Sequence, residues 1–194
     1  MSRRPDRKLV RALRRRDEDA FADMVDKYQH RVFNVIYRIV GDRQEAEDVA
    51  QEVFIAVFKH IDGFRGDSKF STWLFRIASN RAKNRIKYLA RRNKQKHQDI
   101  DDTPESNIEE NPVGGHTDRP DREAMGRELG EIIQAGLQEL NDKHREVIVL
   151  YDVENLSYEE ISEALEIAEG TVKSRLYRAR SQLKAYVDEK YDTT

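Results

Sequence analysis

Near the end of the chain Thr171, Lys173, Ser174, Arg175, Tyr177 and Arg178 are interleaved with Val172, Leu176 and Ala179, whose spacing of four and three makes one inward stripe of a helix. The residues left outside are cations, hydroxyls and one phenol. Arginine and lysine can read guanine edges or hold phosphates, serine can do either, and a tyrosine ring can pack on a thymine methyl. Just upstream, Ser157-Tyr158-Glu159-Glu160 reads as a capping box that starts a short helix running from 158 to about 165. A turn at 166–169 leads into the basic helix, which begins near Thr171. A capped short helix, a turn and a second helix with a basic outer face form a helix-turn-helix, which brings the start of the second helix to base edges in the major groove. The alternative is a solvated basic helix in an ordinary bundle. The turn is strained, because Glu166 stands where such turns go left-handed, at a cost on the order of 1 kcal/mol without glycine. Ala168 also offers no side-chain cap to the helix that follows. A less stable turn is expected, not a different fold.

A second constellation is Phe64-Arg65-Gly66-Asp67-Ser68-Lys69-Phe70, continued by Trp73 and Arg76. On a helical wheel Leu74, Ala78, Ala82, Ile86 and Leu89 form a buried side, while Trp73, Arg76, Asn80, Lys83, Asn84 and Lys87 gather opposite. Aromatic, amide and cationic groups together suit unstacked bases as well as phosphates, and the loop at 64–70 is the candidate pocket for a base that has left the duplex. For Phe64, Phe70 and Trp73, core packing accounts for the side chain at least as well as base contact.

A third constellation lies on the helix that Asp42 begins. Ala46, Val49, Ala50, Val53, Val57 and Ile61 make its inner stripe and leave Gln44, Asp48, Gln51 and Glu52 outside, beside Ile55. That face is acidic and rich in amides, hence unsuited to DNA. On physical grounds alone solvation explains it better than protein docking.

Catalysis finds no foothold. The five histidines have no metal-ligand spacing, and no nucleophile elbow, phosphate-binding glycine loop or zinc signature is present. The chain has no cysteine, which excludes disulfides and thiolate chemistry and suits a reducing cytosol. No apolar run reaches the length of a membrane span, and the arginine-rich start lacks the apolar stretch of a signal peptide. A cytoplasmic, non-enzymatic protein without membrane insertion, metal or cofactor is expected.

The 194 residues are 38% hydrophobic and 37% charged, so any core is thin and most helices keep one face in water. Net charge is only −2, yet it is segregated along the chain. Arg3, Arg4, Lys8, Arg11, Arg14, Arg15 and Arg16 crowd the start, and the stretch from Arg76 to Lys96 holds no acidic residue. From Asp99 to Glu123 acids dominate, and Gly170 to Lys184 is basic again. Apolar residues recur at helical spacing almost everywhere, which predicts an all-α protein. Helices are predicted near 17–40, 43–61 and 71–89, then near 129–140, 145–153, 158–165 and from 171 onward. The polar stretch between the two groups carries Pro104, Pro112, Gly114, Gly115 and Pro120 without apolar periodicity. The organisation expected is two small helical domains, residues 1–90 and 125–194, joined by a flexible acidic linker at 91–124.

The segments AEDVAQEVF (46–54), FRGDSKFSTWLFRIASNRAKN (64–84), LSYEEISEAL (156–165) and EGTVKSRLYRAR (169–180), in this order and with a linker between the second and third, closely resemble the bacterial sigma factors of the extracytoplasmic-function (ECF) group. The resemblance spans nearly the whole chain. It implies that the first domain docks on core RNA polymerase and melts the promoter's minus-ten element, with Phe64, Arg65, Asp67, Ser68, Lys69, Phe70, Trp73, Arg76, Asn80, Lys83 and Asn84 on DNA. It implies that Thr171, Lys173, Ser174, Arg175, Tyr177 and Arg178 read the minus-thirty-five element. It also turns the acidic face into a docking surface, with Gln44, Asp48, Gln51 and Glu52 against the clamp helices of the polymerase's largest subunit. The second domain would meet the beta flap, the linker would thread toward the RNA exit path, and an anti-sigma factor would cover both domains. A dimeric regulator using the same helix-turn-helix on a palindrome is the rival, but it would need neither the aromatic-basic block nor the long linker. Glu166 and Ala168 depart from the glycine and the capping serine or proline frequent in the group.

Overall fold

Asp17 and Asp42 sit immediately before two apolar-periodic runs, and each carboxylate accepts a hydrogen bond from the amide three residues on, Ala20 at 3.0 Å and Glu45 at 2.8 Å. These caps start helices α2 (Glu18–Val40) and α3 (Arg43–His60) in a computed structural model that describes residues 4–99 and 120–192. Gly41 ends α2 with a left-handed φ of 89°, its amide bonding the Tyr37 carbonyl at 2.8 Å. Helix α1 (Arg4–Arg14) precedes them and α4 (Phe70–Asp99) follows after a loop. The second half holds α5 (Pro120–Glu139), α6 (Asp142–Ile148), a π-helical turn (Val149–Val153), α7 (Tyr158–Leu165) and α8 (Glu169–Asp192). The described residues contain no strand, as the helical periodicity predicts.

Three helix extents differ from the periodicity. No helix is predicted before residue 17, yet α1 is formed there and buries Val10 and Leu13; Leu9, Val10, Ala12 and Leu13 span little more than one turn, too short a run to register as periodicity. The helix predicted near 71–89 runs on to Asp99 as α4, because the residues after Leu89 are mostly good helix formers with no glycine or proline to stop them. The helix predicted near 129–140 begins earlier, because Pro120, with its preset φ and no amide to leave unpaired, opens α5. Residues 100–119 lie outside the described residues.

Helices α2, α3 and α4 pack on one another around Val35, Ile36, Ile39, Val53, Val57, Leu74 and Phe75. In the second half α6 and α5 pack on α8, where Gly136 is required. A Cβ there would stand 2.7 Å from Leu183 and 2.8 Å from Tyr186. The halves are not held apart: α7 lies on α4, α5 and the π turn lie on α2, and one buried apolar cluster runs through both. Part of the reason is polar. The carbonyls at the end of α2 take donors from the second half, Tyr37, which also accepts from Gly41, from Gln134 at 3.2 Å, Arg38 from Gln138 at 3.1 Å and Ile39 from Arg145 at 3.0 Å. Amphipathic periodicity carries no trace of such contacts.

Glu166 adopts the expected left-handed conformation, φ 56° and ψ 45°, where α7 ends. Its carboxylate meets Arg76 at 3.3 Å in an exposed pair of small worth. Glu166→Gly is therefore expected to stabilise the fold by about 1 kcal/mol and raise Tm by roughly 2–4 °C. A melting curve that is unchanged or lower would contradict that.

Candidate nucleic-acid interface

Helices α7 and α8 are joined by polar contacts that leave the basic side free. Ser157 Oγ accepts from the Glu160 amide at 3.1 Å while the Glu160 carboxylate accepts from the Ser157 amide at 2.9 Å, so the capping box is complete. Burial pushes the Glu160 carboxyl up, but hydrogen bonds from Lys69 and Ser157 outweigh it and hold the group below the usual carboxylate range. In the turn, Ser162 Oγ donates to the Ile167 carbonyl at 2.6 Å, and the Ala168 carbonyl accepts from Thr171 at 2.8 Å and Val172 at 3.1 Å, starting α8 with no side-chain cap from alanine. Val172, Leu176 and Ala179 are buried, as their spacing predicts.

On the other side of α8, Lys173, Ser174, Tyr177 and Arg178 are exposed and Thr171 and Arg175 half-buried, Tyr177 at 75%. Lys173, Arg175 and Arg178 form no ion pair among the described residues, although the Lys173 ammonium stands 5.4 Å from the Tyr158 ring centre. Ser174 Oγ donates to the Thr171 carbonyl at 3.0 Å, which leaves its lone pairs outward. Thr171, Ser174, Arg175 and Arg178 line an open cleft with Asn141, Asp142, Lys143 and His144. Arg180, by contrast, is held by Asp152 and stacked on Tyr151.

In the first half the aromatic residues are not presented to solvent. Phe64, Phe70 and Trp73 are 5%, 0% and 8% exposed and interlock at ring-centre distances of 5.2 to 6.0 Å. This corrects the helical-wheel placement of Trp73 on the polar side: the loop folds Phe64 back over the start of α4, and Trp73 closes the core beneath it. Core packing accounts for all three rings. Above them Arg65, Asp67 and Lys69 are exposed and Ser68 is half-buried, and Gly66 takes φ 81°. Arg65 and Asp67 pair at 3.2 Å. Along α4, Asn80 and Asn84 are exposed while Arg76 and Lys83 are half-buried against the second half.

Three of these cations meet carboxylates of the second half: Lys69 with Glu160 at 2.7 Å, Arg76 with Glu166 at 3.3 Å and Lys83 with Glu146 at 3.1 Å. Arg31 and Glu154, at 2.8 Å, add a fourth cross-pair. Glu146 and Glu154 are buried, and burial raises both carboxyls above the usual range against the pull of Lys83 and of Arg31. Around Glu146, Arg175 also favours the charge and Asp142 opposes it.

A carboxyl whose pKa is raised by folding binds more protons folded than unfolded, so its contribution is full below the ordinary value of 4.5 and is lost as pH rises through the raised value. In that window, stability is expected to fall with rising pH, and Glu146→Gln to flatten the slope. Urea midpoints of both proteins across about pH 4.5 to 7 test it. Equal slopes would contradict it.

On α3, Gln44, Asp48 and Gln51 are exposed and Glu52 half-buried, with Ile55 beside them 53% exposed. Arg85 from α4 binds Glu45, reaches Glu52 at 2.8 Å and lies 3.9 Å from Asp48, while Arg81 meets Glu52 at 3.2 Å. Burial lowers the Arg85 guanidinium's affinity for its proton, but hydrogen bonds to Glu45 and Glu52 reverse this and raise it. Gln44 and Gln51 make no side-chain hydrogen bond among the described residues. The sequence reading missed Arg85, which fixes this face from a neighbouring helix; only its place opposite Glu45 and Glu52 reveals it. No helix of the described residues is long and apolar enough to cross a membrane, and they hold no cluster of metal-ligating side chains.

Residues 24–94 match the family described as sigma-70 region 2, and residues 130–183 match sigma-70, region 4. The RNA polymerase sigma-H factor of Pseudomonas aeruginosa is 37% identical over 94% of this chain and 94% of its own. The ECF RNA polymerase sigma factor SigW of Bacillus subtilis is 38% identical, covering 92% of this chain and 94% of its own, and the ECF RNA polymerase sigma-E factor of Escherichia coli is 35% identical over 92% of each. Among solved structures, CnrH in complex with the cytosolic domain of CnrY superposes with a TM-score of 0.69 at 23% identity, over 96% of this chain and 99% of that one. The sigma factor RpoE of Bartonella quintana, solved with the anti-sigma factor NepR, gives 0.64 at 22% over 87% and 96%. At these identities the two structures speak for the fold.

Proposed function

Because this chain belongs to the extracytoplasmic-function group of RNA polymerase sigma factors, we propose that its two helical halves divide promoter recognition between them. The chain is a transcription initiation factor that directs RNA polymerase to specific promoters. Residues 1–90 form the domain that binds core polymerase and opens the minus-ten element, residues 125–194 the domain that reads the minus-thirty-five element, and 91–124 the connection. The matched stretches 24–94 and 130–183 support this division. No side chain is assigned a catalytic role, and the site of action is the cytoplasm, where the polymerase works.

The observation that carries the reading is the exposed row Lys173, Ser174, Tyr177 and Arg178 on the second helix of a helix-turn-helix whose first helix is closed by a capping box, with Lys173, Arg175 and Arg178 in no ion pair among the described residues. Long donors on that row reach base edges, and Thr171 and the neighbouring cations hold phosphates. In the first half, Arg65, Asp67, Ser68 and Lys69 form the rim of the base pocket, with the interlocked Phe64, Phe70 and Trp73 as its rigid base. Arg76, Asn80, Lys83 and Asn84 continue the track along α4. Core polymerase, through its clamp helices, takes the face of Gln44, Asp48, Gln51 and Glu52, and its beta flap meets the second domain. Since Glu160, Glu166 and Glu146 occupy Lys69, Arg76 and Lys83 in this arrangement, the halves must part there before those cations reach phosphate. An anti-sigma factor that holds the halves together would use the same competition.

Permanganate footprinting on a cognate promoter tests the reading. Core polymerase with this chain is expected to make thymines of the minus-ten element reactive; reactivity no greater than with core alone would contradict it.

A further inference from the structure

The arginine-rich first helix plays no part in the roles above, yet it lines a cleft with the loop that does. Arg7, Arg11, Arg14 and Arg15 follow one another at spacings of four, three and one, a single face of α1 and its end, and across from them stand Phe64, Arg65, Gly66 and Ser68. The cleft holds about 420 Å³, and no acidic side chain among the described residues lines it. Two neighbouring arginines have structural duties: Arg14 donates to the Phe64 carbonyl, which ties α1 to the loop, and Arg16 pairs with Asp62 at 2.6 Å. Arg7, Arg11 and Arg15 are exposed and form no ion pair with any described residue. Like charges one turn apart disfavour a helix, so this row weakens α1 unless an anion meets it.

From this geometry we infer that the cleft binds the sugar-phosphate backbone of single-stranded DNA, on the far side of the loop from the α4 track. The inference rests on the loop at 64–70 being the place where the melted strand is held. From Arg7 to Arg14 the row spans about 10 Å at 1.5 Å per residue, longer than one phosphate group and suited to successive phosphates of a strand. Phe64 and Val10 give the cleft an apolar wall on which a sugar or base can rest, as single-strand sites require beside their cations. A concave cleft of this volume between a helix and a loop admits one strand and excludes a duplex. The strand leaving the loop would thus be drawn away from its complement, and recognition would extend past the captured base without reading sequence.

The test uses holoenzyme assembled from core polymerase and the full chain, with two labelled forked templates. In one the displaced strand ends at the captured base; in the other it runs a few nucleotides beyond. Holoenzyme is expected to bind the longer template about tenfold more tightly at low salt, with a steeper salt dependence. The triple substitution R7S/R11S/R15S loses that gain while binding the short template as before. R7K/R11K/R15K keeps most of it, because phosphate contact asks for charge more than for a planar fork. A triple serine variant that retains the gain, or one that loses both templates equally, would overturn the inference. So would saturable binding of ATP that the serine variant abolishes while the gain persists, which places a free nucleotide in the cleft. Failure of unsubstituted holoenzyme to bind even the short template would instead overturn the base-capture reading on which the inference rests.

Discussion

Arg178→Ala is expected to weaken binding to the minus-thirty-five element by about 10- to 100-fold, the worth of one bidentate base contact, while association with core polymerase stays unchanged. Arg178 is exposed on the outer side of α8, forms no ion pair among the described residues, and lines the cleft with Thr171, Ser174 and Arg175. Its whole donor fork is therefore available to a base pair. Two residues along, Arg180 makes the control: it is tied to Asp152 and stacked on Tyr151, so its removal should alter DNA binding little. Because only base contacts carry sequence information, Arg178→Ala should weaken the cognate element more than a scrambled one, whereas Lys173→Ala, if the lysine holds phosphate, should weaken both alike. Anisotropy titrations with the two duplexes separate these cases. Loss of core association by Arg178→Ala would contradict the division of roles.

The second large effect is expected far from DNA. The Arg145 guanidinium is buried and gives hydrogen bonds to four carbonyls, Leu137 at 2.7 Å, Gln138 at 2.7 Å, Leu140 at 2.8 Å and Ile39 at 3.0 Å. Three of these lie where α5 ends and the fourth belongs to the last turn of α2. One side chain thus serves carbonyls at the ends of two helices from different halves. Burial lowers the Arg145 pKa against the pull of Asp142 and Glu139, but an arginine stays charged. Arg145→Met removes every donor and strips the guanidinium from the Gln138, Leu140 and Ile39 carbonyls, while Leu137 keeps only the Leu140 amide, so a loss of about 3–5 kcal/mol is expected. Arg145→Lys, with fewer donors and no planar fork, should recover only part of it. Urea midpoints measure both, and a methionine variant as stable as the parent would show that water satisfies those carbonyls instead.

Arg145 also shows where sequence reading stops. The helices at 17–40, 43–61 and 158–165 announce themselves, because Asp17, Asp42 and Ser157 are caps in front of periodic apolar runs and their side chains bond the amides those positions demand. The inward stripes of α3 and α8 and the left-handed Glu166 are local properties too, and they follow from spacing and turn chemistry alone. Contacts between distant segments are different. Nothing in the pattern around Arg145 points to the end of α2, and nothing around Arg85 points to Glu45 and Glu52 on α3. The same limit applies to the candidate DNA residues. Their charges are plain in the sequence, but Lys69, Arg76 and Lys83 turn out to face glutamates of the other half, and Trp73, which a wheel sets among polar groups, is drawn inward by Phe64. The arginines of α1 were visible as a charge run, and only the fold joins them to the loop.

The central claim is that this chain gives core RNA polymerase its choice of promoter. The most direct measurement is to combine purified chain and core polymerase, separate the complex by gel filtration, and assay transcripts from a supercoiled cognate promoter. Co-elution with core and initiation at one defined start, neither obtained with core alone, is the expected result. A chain that elutes apart from core and yields no new transcript would contradict the claim, whatever its affinity for DNA.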